Sequence, residues 1–160
     1  MQKIEYKIKI FEAKSLEELE NEDSNLVKES QKVLKNAYAP YSKFNVGAAV
    51  LLENGEIITG TNQENSAYPS GLCAERVAMF YANSKYPNVA VKAIAVTAFF
   101  NNDYIEEPAP PCGSCRQVLL ETETRFKKPI KVILFGKNKI RIIDGVKQLL
   151  PLSFTDDFLK

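Results

Sequence analysis

Residues 72–76 read Leu-Cys-Ala-Glu-Arg and residues 111–117 read Pro-Cys-Gly-Ser-Cys-Arg-Gln, and these two stretches contain every cysteine of the 160-residue chain. Cys112 and Cys115 are three residues apart, so at the start of a helix their sulfur atoms lie on one face and can bind one ion. Cys73 would be the third ligand. Three protein ligands leave one position of a tetrahedral zinc open to water, which is typical of a catalytic zinc site.

Glu75 follows Cys73 by two residues. In the interior of a helix these two side chains would point to different sides, so both can face one metal only in the first turn. The pair therefore predicts a helix that begins near Cys73, and the positive end of its dipole would favour a thiolate there. A structural zinc or a redox dithiol is the alternative. Against these, the chain has no histidine to act as a fourth ligand, and a redox pair leaves Cys73 and Glu75 without a role.

Two further stretches accompany these motifs, Ala-Pro-Tyr-Ser-Lys-Phe-Asn-Val-Gly-Ala-Ala at 39–49 and Gly-Thr-Asn-Gln-Glu-Asn-Ser-Ala-Tyr-Pro at 60–69. Together they resemble the cytidine deaminases of the short, homotetrameric type, over about residues 37–158. Zinc deaminases use either a histidine or a third cysteine as a ligand. The resemblance implies zinc-dependent hydrolytic deamination of cytidine and deoxycytidine, in pyrimidine salvage, to uridine and deoxyuridine plus ammonia.

The same resemblance implies a role for each polar residue of the zinc motifs. Zinc on Cys73, Cys112 and Cys115 would lower the pKa of its water, and Glu75 would carry protons from that water to ring nitrogen 3 and to the departing ammonia. Without the resemblance, Glu75 could be an acidic charge at a helix N-terminus. Arg76 would donate to the cysteine sulfurs.

The nucleoside-binding residues are likewise implied by the resemblance. Asn62 and Glu64 would bond the ribose hydroxyls, and Phe154 would reach the base in a neighbouring subunit, which implies a homotetramer with sites at subunit boundaries. The full set is Phe44, Asn62, Glu64, Ala67, Tyr68 and Phe154. Each has a plainer interpretation as a strand aromatic, a loop polar residue or tail packing.

Composition limits the class of protein. A length of 160 residues with 45% apolar residues suits a single core. Lys and Arg number 21 against 20 Asp and Glu, so a small nucleoside is expected as partner rather than nucleic acid. Unpaired cysteines favour a reducing compartment, so the cytoplasm is expected. No apolar run approaches membrane-spanning length, and residues 1–10 lack the apolar core of a signal peptide.

The hydrophobic pattern predicts an α/β fold, a three-layer α/β/α sandwich with a mixed sheet of about five strands. Residues 1–36 are predicted to form an amino-terminal strand and helix packed on a catalytic domain at 37–160. The strand is expected over 4–10, where apolar residues alternate with charged ones. One helix, or two helices broken near residues 21–25, is expected between 15 and 37. The strands of the catalytic domain are predicted at 45–52, 56–61, 91–99, 130–135 and 139–143, and its helices at 72–84 and 112–126.

Two other functions remain open at this point. A related aminonucleoside deaminase of the blasticidin S type would share the residues around the zinc, although Asn62 and Glu64 argue against it. A catalytically silent zinc module that contacts protein or RNA would not need Glu75 or an open coordination position.

Overall fold

A mixed β-sheet forms the centre of the computed structural model, which describes residues 1–159. Its strands are β1 (Phe11–Ala13), β2 (Asn45–Leu52), β3 (Ile57–Thr61), β4 (Val91–Phe100), β5 (Asp103–Tyr104), β6 (Lys131–Phe135) and β7 (Ile140–Asp144). Their order is β1-β7-β6-β4-β2-β3, with β5 paired to the end of β4. Strands β4 and β6 run parallel, and the other pairs are antiparallel.

Helices cover both faces of this sheet. Helix α1 (Asn21–Lys32) lies on one face, where its Leu26 and Val27 pack with alternate residues of β2, such as Ala49 and Leu51. Helices α2 (Ala74–Lys85) and α3 (Gly113–Phe126) lie on the other face, against the intervening residues of β2 and β4. The predicted three-layer α/β/α arrangement is confirmed. The sheet has seven strands rather than about five, because the short strands β1 and β5 extend it.

The connection between β4 and β6 brings α3 to the sheet. Parallel neighbours need a crossover, usually through a helix, and α3 lies in that crossover. Both strands are buried on both faces, which explains their continuous apolar and β-branched sequences. The start of α3 is thereby fixed beside the start of α2.

Gly60 sets the distance between α2 and the sheet. A Cβ atom at this position of β3 would lie 2.5 Å from the Ala78 nitrogen and 2.8 Å from the Ala74 oxygen. The backbone of the helix can approach the strand this closely only because no side chain intervenes.

The amino-terminal strand predicted over residues 4–10 is wrong. Strand β1 covers only Phe11–Ala13, where Phe11 pairs with Ile142 of β7. Strand β7 ends at Asp144 and the chain then turns at Gly145, whose φ is 95°, so little of a neighbouring strand remains for the residues before Phe11. The predicted helical region contains α1, with one short 3₁₀ turn before it and another after it.

The division into residues 1–36 and 37–160 stays a prediction. Helix α1 contributes Leu26 and Val27 to the core with no exposed surface. Within residues 1–159, none of the helices has the length and apolar character that a membrane span requires.

Candidate active site

Two helix N-termini meet at the carboxyl end of β4, and a cysteine precedes each helix. Cys73 is the residue before α2 and Cys112 is the residue before α3, and both have extended backbone conformations. Helices that start at these points leave free N–H groups and the positive ends of their dipoles near the sulfur atoms. This arrangement favours thiolates, as the spacing of Cys73 and Glu75 predicted.

The three cysteines form one cluster of sulfur atoms. The Sγ atoms of Cys73 and Cys112 are 3.8 Å apart, those of Cys112 and Cys115 are 3.5 Å apart, and all three lie within 4.8 Å of one another. A tetrahedral zinc with Zn–S bonds of about 2.3 Å would require sulfur atoms separated by about 3.8 Å. None of the three forms a disulfide. The donor set therefore fits zinc.

The cluster carries negative charge near Arg76. A hydrogen bond with Cys115, followed by the contribution of Arg76, lowers the pKa of Cys73 to about 5, although burial acts in the opposite direction. The same hydrogen bond to Cys73, together with burial, raises the pKa of Cys115.

Arg76 supports this thiolate directly. Its Nη2 donates to Cys73 Sγ over 3.8 Å, and this hydrogen bond raises the pKa of the guanidinium. Its Nε is buried and has no hydrogen-bond partner among the described residues. A buried N–H beside sulfur atoms is a suitable donor to thiolate ligands that balance a metal ion.

Glu75 is a buried carboxyl group beside the cluster, with only 5% of its surface exposed. Burial is the largest cause that raises its pKa, and the charge of Cys73 acts in the same direction. A raised pKa suits a group that accepts and then delivers a proton near neutral pH.

A cavity of about 850 Å³ opens above Glu75 and Cys73. Among the residues that the sequence predicted, its lining includes Phe44, Asn62, Glu64, Tyr68, Cys73, Glu75, Arg76 and Cys112. Among the described residues, Ala67 and Phe154 are not part of this lining. Ala67 precedes a 3₁₀ turn, and its N–H donates to Asn65 Oδ1 over 2.9 Å. Phe154 is 60% exposed and stacks on Phe158 with ring centres 5.8 Å apart.

Asn62 and Glu64 hold the opposite wall of the cavity. Asn62 Nδ2 donates to the Phe44 carbonyl oxygen over 2.8 Å, and Asn62 Oδ1 accepts from the Val46 nitrogen over 2.8 Å. Glu64 Oε2 accepts from the nitrogens of Tyr41 at 2.9 Å and Ser42 at 3.3 Å. A hydrogen bond with Ser42 is the largest cause that lowers the pKa of Glu64.

Several residues at or near this wall were not predicted as site residues. Tyr41 and Ser42 line the cavity, and their position within the quoted stretch 39–49 was the available signal. Phe100 packs on Phe44 with ring centres 6.0 Å apart. No sequence pattern pointed to that contact, because it depends on how far β4 extends beyond its neighbour.

Comparisons with known proteins agree with this geometry. A family model described as the cytidine and deoxycytidylate deaminase zinc-binding region matches residues 20–129. A cytidine deaminase of Halalkalibacterium halodurans is 43% identical over 132 residues, which are 81% of this chain and 92% of that protein. One from Sporosarcina psychrophila is 51% identical over 96 residues, 60% of this chain and 66% of that protein.

Solved structures give the same result for the fold. The crystal structure of cytidine deaminase from Burkholderia pseudomallei superposes with a TM-score of 0.69 and 34% sequence identity, covering 81% of this chain and 97% of the other. A second crystal structure, that of cytidine deaminase from Mycobacterium tuberculosis, has a TM-score of 0.64 and 30% identity over 82% of this chain and 95% of the other.

Proposed function

The chain belongs to the cytidine and deoxycytidylate deaminase family, and from this we propose that it hydrolyses cytidine to uridine and ammonia. The observation that carries the proposal is a buried glutamate, Glu75, which lies beside three clustered cysteines at a cavity of about 850 Å³, large enough to hold a nucleoside. Deoxycytidine is proposed as a second substrate, and pyrimidine salvage in the cytoplasm as the setting.

Cys73, Cys112 and Cys115 would hold the zinc, which would supply a Lewis acid to activate water for attack on carbon 4 of the pyrimidine. Glu75 moves the protons. Its carboxylate takes one from the attacking water and delivers it to ring nitrogen 3, and it then transfers the remaining hydroxyl proton to the amino group, which leaves as ammonia. The products are uridine, which keeps the proton on nitrogen 3, and ammonia.

Burial of Glu75 supports this role, because a carboxyl group shielded from bulk water exchanges protons with the substrate rather than with solvent. The positive ends of the helices that begin after Cys73 and Cys112 stabilise the negative charge of the thiolates. Arg76 balances their charge through its bond to Cys73.

Phe44, Asn62, Glu64 and Tyr68 bind the nucleoside in this proposal. One N–H of the Asn62 amide binds the Phe44 carbonyl oxygen, and one lone pair of its oxygen binds the Val46 nitrogen. The amide has a second N–H and a second lone pair, which can bind a ribose hydroxyl. Glu64 binds the loop through Oε2, and an ionised carboxylate has further lone pairs that can accept from a ribose hydroxyl. The same two side chains therefore shape the wall and can bind the sugar.

A homotetramer completes the proposed site. Phe154 lies outside the cavity of its own chain and is largely exposed, which supports a role for it against the base bound by a neighbouring subunit. Ala67 is proposed to contact the substrate because the family resemblance implies it. Its neighbour Tyr68 lines the cavity.

Turnover by zinc-loaded protein tests the proposal. Cytidine and deoxycytidine are each followed by ultraviolet absorbance and by ammonia release, with zinc content measured on the same samples. Failure of the zinc-loaded protein to convert either nucleoside would contradict the proposal. Cytosine, which has no ribose, is the comparison substrate, because Asn62 and Glu64 should make it much poorer. Equal turnover of cytosine would favour a related aminonucleoside deaminase instead.

A catalytically silent zinc module is the second alternative. Its test is a gel shift with single-stranded RNA. Binding to RNA together with an absence of nucleoside turnover would favour that alternative, which has no use for a buried carboxyl group beside the cysteines.

A further inference from the structure

Arg116 joins the loop that enters α3 to a segment near the carboxyl end of the chain. Its Nε donates to the Pro111 carbonyl oxygen over 2.8 Å, and its Nη1 donates to the Leu149 carbonyl oxygen over 2.9 Å. Both are distances of well-formed hydrogen bonds. Because the guanidinium is planar and presents its donors as a rigid fork, two partners in two directions fix its position.

Pro111 directly precedes Cys112, one of the three cysteines that would hold the zinc. The carbonyl that Arg116 binds belongs to the planar peptide group between these two residues, so its orientation also sets that of the Cys112 backbone. Pro111 is buried, and a buried carbonyl without a partner is costly. Cys112 is exposed, and its own side chain does not cap α3. The bond from Arg116 therefore supports the backbone just before this cysteine.

The second partner of Arg116 is itself held in place. Leu149 is the last residue of the 3₁₀ turn Val146–Leu149, which we call the carboxyl-terminal turn. At the start of this turn, Glu123 Oε2 accepts from the Val146 nitrogen over 2.7 Å. Arg116 and Glu123 are seven residues apart, so they lie on one face of α3. The helix therefore holds the turn at both ends, which keeps the Leu149 oxygen within reach of Arg116.

We propose that Arg116 is a positioning residue for the zinc site and that it acts through its bond to Pro111. This bond fixes the direction from which Cys112 presents its sulfur to the metal. The role differs from that of Arg76, which donates to a cysteine sulfur directly. Residues that orient metal ligands commonly change metal affinity by about 10–100-fold when they are removed.

The contacts of Arg116 favour a role in position over a role in charge. An arginine that acted on the thiolates by its charge would direct a donor at sulfur, as Arg76 does. Arg116 directs its donors at neutral carbonyl oxygens on two separate segments. An arginine that served only the carboxyl-terminal turn would have no use for the bond to Pro111.

The rate of zinc release from the full-length, zinc-loaded protein tests this role. An excess of a chromogenic chelator captures the zinc as it leaves, at constant pH. Arg116→Ala frees the Pro111 carbonyl, so we expect release to be at least about fivefold faster than in the parent. Glu123→Gln is the matched control, because it weakens the hold on the carboxyl-terminal turn from the same face of α3 without contacting Pro111. Its release rate should stay close to that of the parent.

Two results would overturn the proposal. Equal acceleration in Arg116→Ala and Glu123→Gln would show that release follows a general loosening of the carboxyl-terminal turn. An unchanged rate in Arg116→Ala would show that Cys112 needs no support. Arg116→Lys keeps the charge and serves even if Arg116→Ala does not fold. Its single ammonium group cannot match the fork between two carbonyls, so its rate should lie between parent and Arg116→Ala, and a rate equal to the parent would mean that charge alone is needed.

Cobalt(II) in place of zinc reports the arrangement of the ligands. Its absorption bands depend on the number and geometry of the ligands, whereas a loss of stability alone leaves the spectrum of the folded protein unchanged. We expect both Arg116 variants to shift or broaden the bands, and Glu123→Gln to match the parent. Identical spectra for all of these proteins would contradict the positioning role, because Cys112 would then keep its place without Arg116.

These measurements need no substrate, so they judge the role of Arg116 independently of the proposed activity. Cytidine turnover is followed on the same samples. A parent protein without turnover, together with faster zinc release in Arg116→Ala, would support the positioning role and contradict the proposed function. Turnover by a parent whose Arg116 variants keep its release rate and its cobalt spectrum would give the reverse result.

Discussion

Asn62 ties the wall of the cavity to the sheet through Phe44, since Asn62 Nδ2 donates to the Phe44 carbonyl oxygen over 2.8 Å. Its Oδ1 accepts from the Val46 nitrogen over 2.8 Å. The pairing of β3 with β2 ends at Thr61. The amide of Asn62, the next residue, then makes the two hydrogen bonds to the backbone beside the start of β2 that a paired strand would make. A residue that the family resemblance assigned to the ribose also holds the backbone that positions Phe44.

Asn62→Ala should therefore affect stability and substrate binding together. It leaves the Val46 nitrogen and the Phe44 oxygen without their partner, which should lower the free energy of unfolding by about 1–3 kcal/mol. It should also raise KM for cytidine, because Phe44 loses its support. Chemical denaturation and steady-state kinetics measure the two effects. Asn54→Ala, in the turn between β2 and β3, is the control and should leave KM unchanged. A change in KM with no loss of stability would mean that the backbone contacts are dispensable.

Glu75→Gln should keep the fold and the zinc but lose at least about 10²–10⁴-fold in turnover. The amide fills the same volume but cannot accept and deliver the protons. Because burial raises the pKa of Glu75, a neutral replacement should leave the unfolding temperature unchanged or higher. Metal analysis, thermal unfolding and turnover are measured on one preparation. Loss of zinc in this variant, or in Glu75→Ala, would show that Glu75 supports the metal site structurally.

The sequence predicted the chemical centre better than its surroundings. The start of α2 followed from the spacing of Cys73 and Glu75, because side chains so close in sequence can face one ion only at a helix terminus. The start of α3 followed from the three-residue spacing of Cys112 and Cys115. The bonds from Asn62 to the backbone of β2 could not be predicted, since they depend on the pairing of β2 with β3. The resemblance assigned Asn62 to the ribose and gave no indication of its bonds to the backbone.

The strand predicted over residues 4–10 was wrong for a different reason. Their alternating pattern favours a strand, but a strand also needs a neighbour, and periodicity carries no information about whether one is available. Strand β7 ends at Asp144, so among residues 1–159 the segment before Phe11 has no strand to pair with.

Gly60→Ala should weaken the site from a distance. The added methyl group would lie 2.5 Å from the Ala78 nitrogen, which forces α2 away from β3 and moves Cys73 and Glu75 with it. We expect a loss of at least about 1–3 kcal/mol in the free energy of unfolding and faster loss of zinc to a chelator. Gly113→Ala is the matched control, because nothing lies within 4 Å of its added methyl group. Its stability should stay equal or increase. Equal stability of both variants would show that α2 tolerates displacement.

The pH at which the protein releases zinc should depend on the contact between Arg76 and Cys73. Nη2 of Arg76 lies 3.8 Å from Cys73 Sγ, and after the hydrogen bond with Cys115 it is a further cause that lowers the pKa of Cys73 to about 5. A lowered thiol pKa means that protons displace zinc only at lower pH. Removing the arginine raises that pKa, so protons compete at higher pH. Arg76→Ala should move the midpoint of zinc retention upward by about one pH unit.

Arg76→Gln should lie between the parent and Arg76→Ala, because its amide can still donate to sulfur but brings no charge. Zinc content is measured after equilibration across a pH series and removal of free metal. Arg125→Ala is the control, since this arginine lies in the last turn of α3, remote from the start of that helix, and contacts the Pro87 carbonyl oxygen. Three thiolates would leave a bound zinc with a net negative charge, which the helix N-termini and Arg76 would offset. If both Arg76 variants release zinc at the same pH as the parent, the helix N-termini alone stabilise the thiolates, and Arg76 serves only to pack α2.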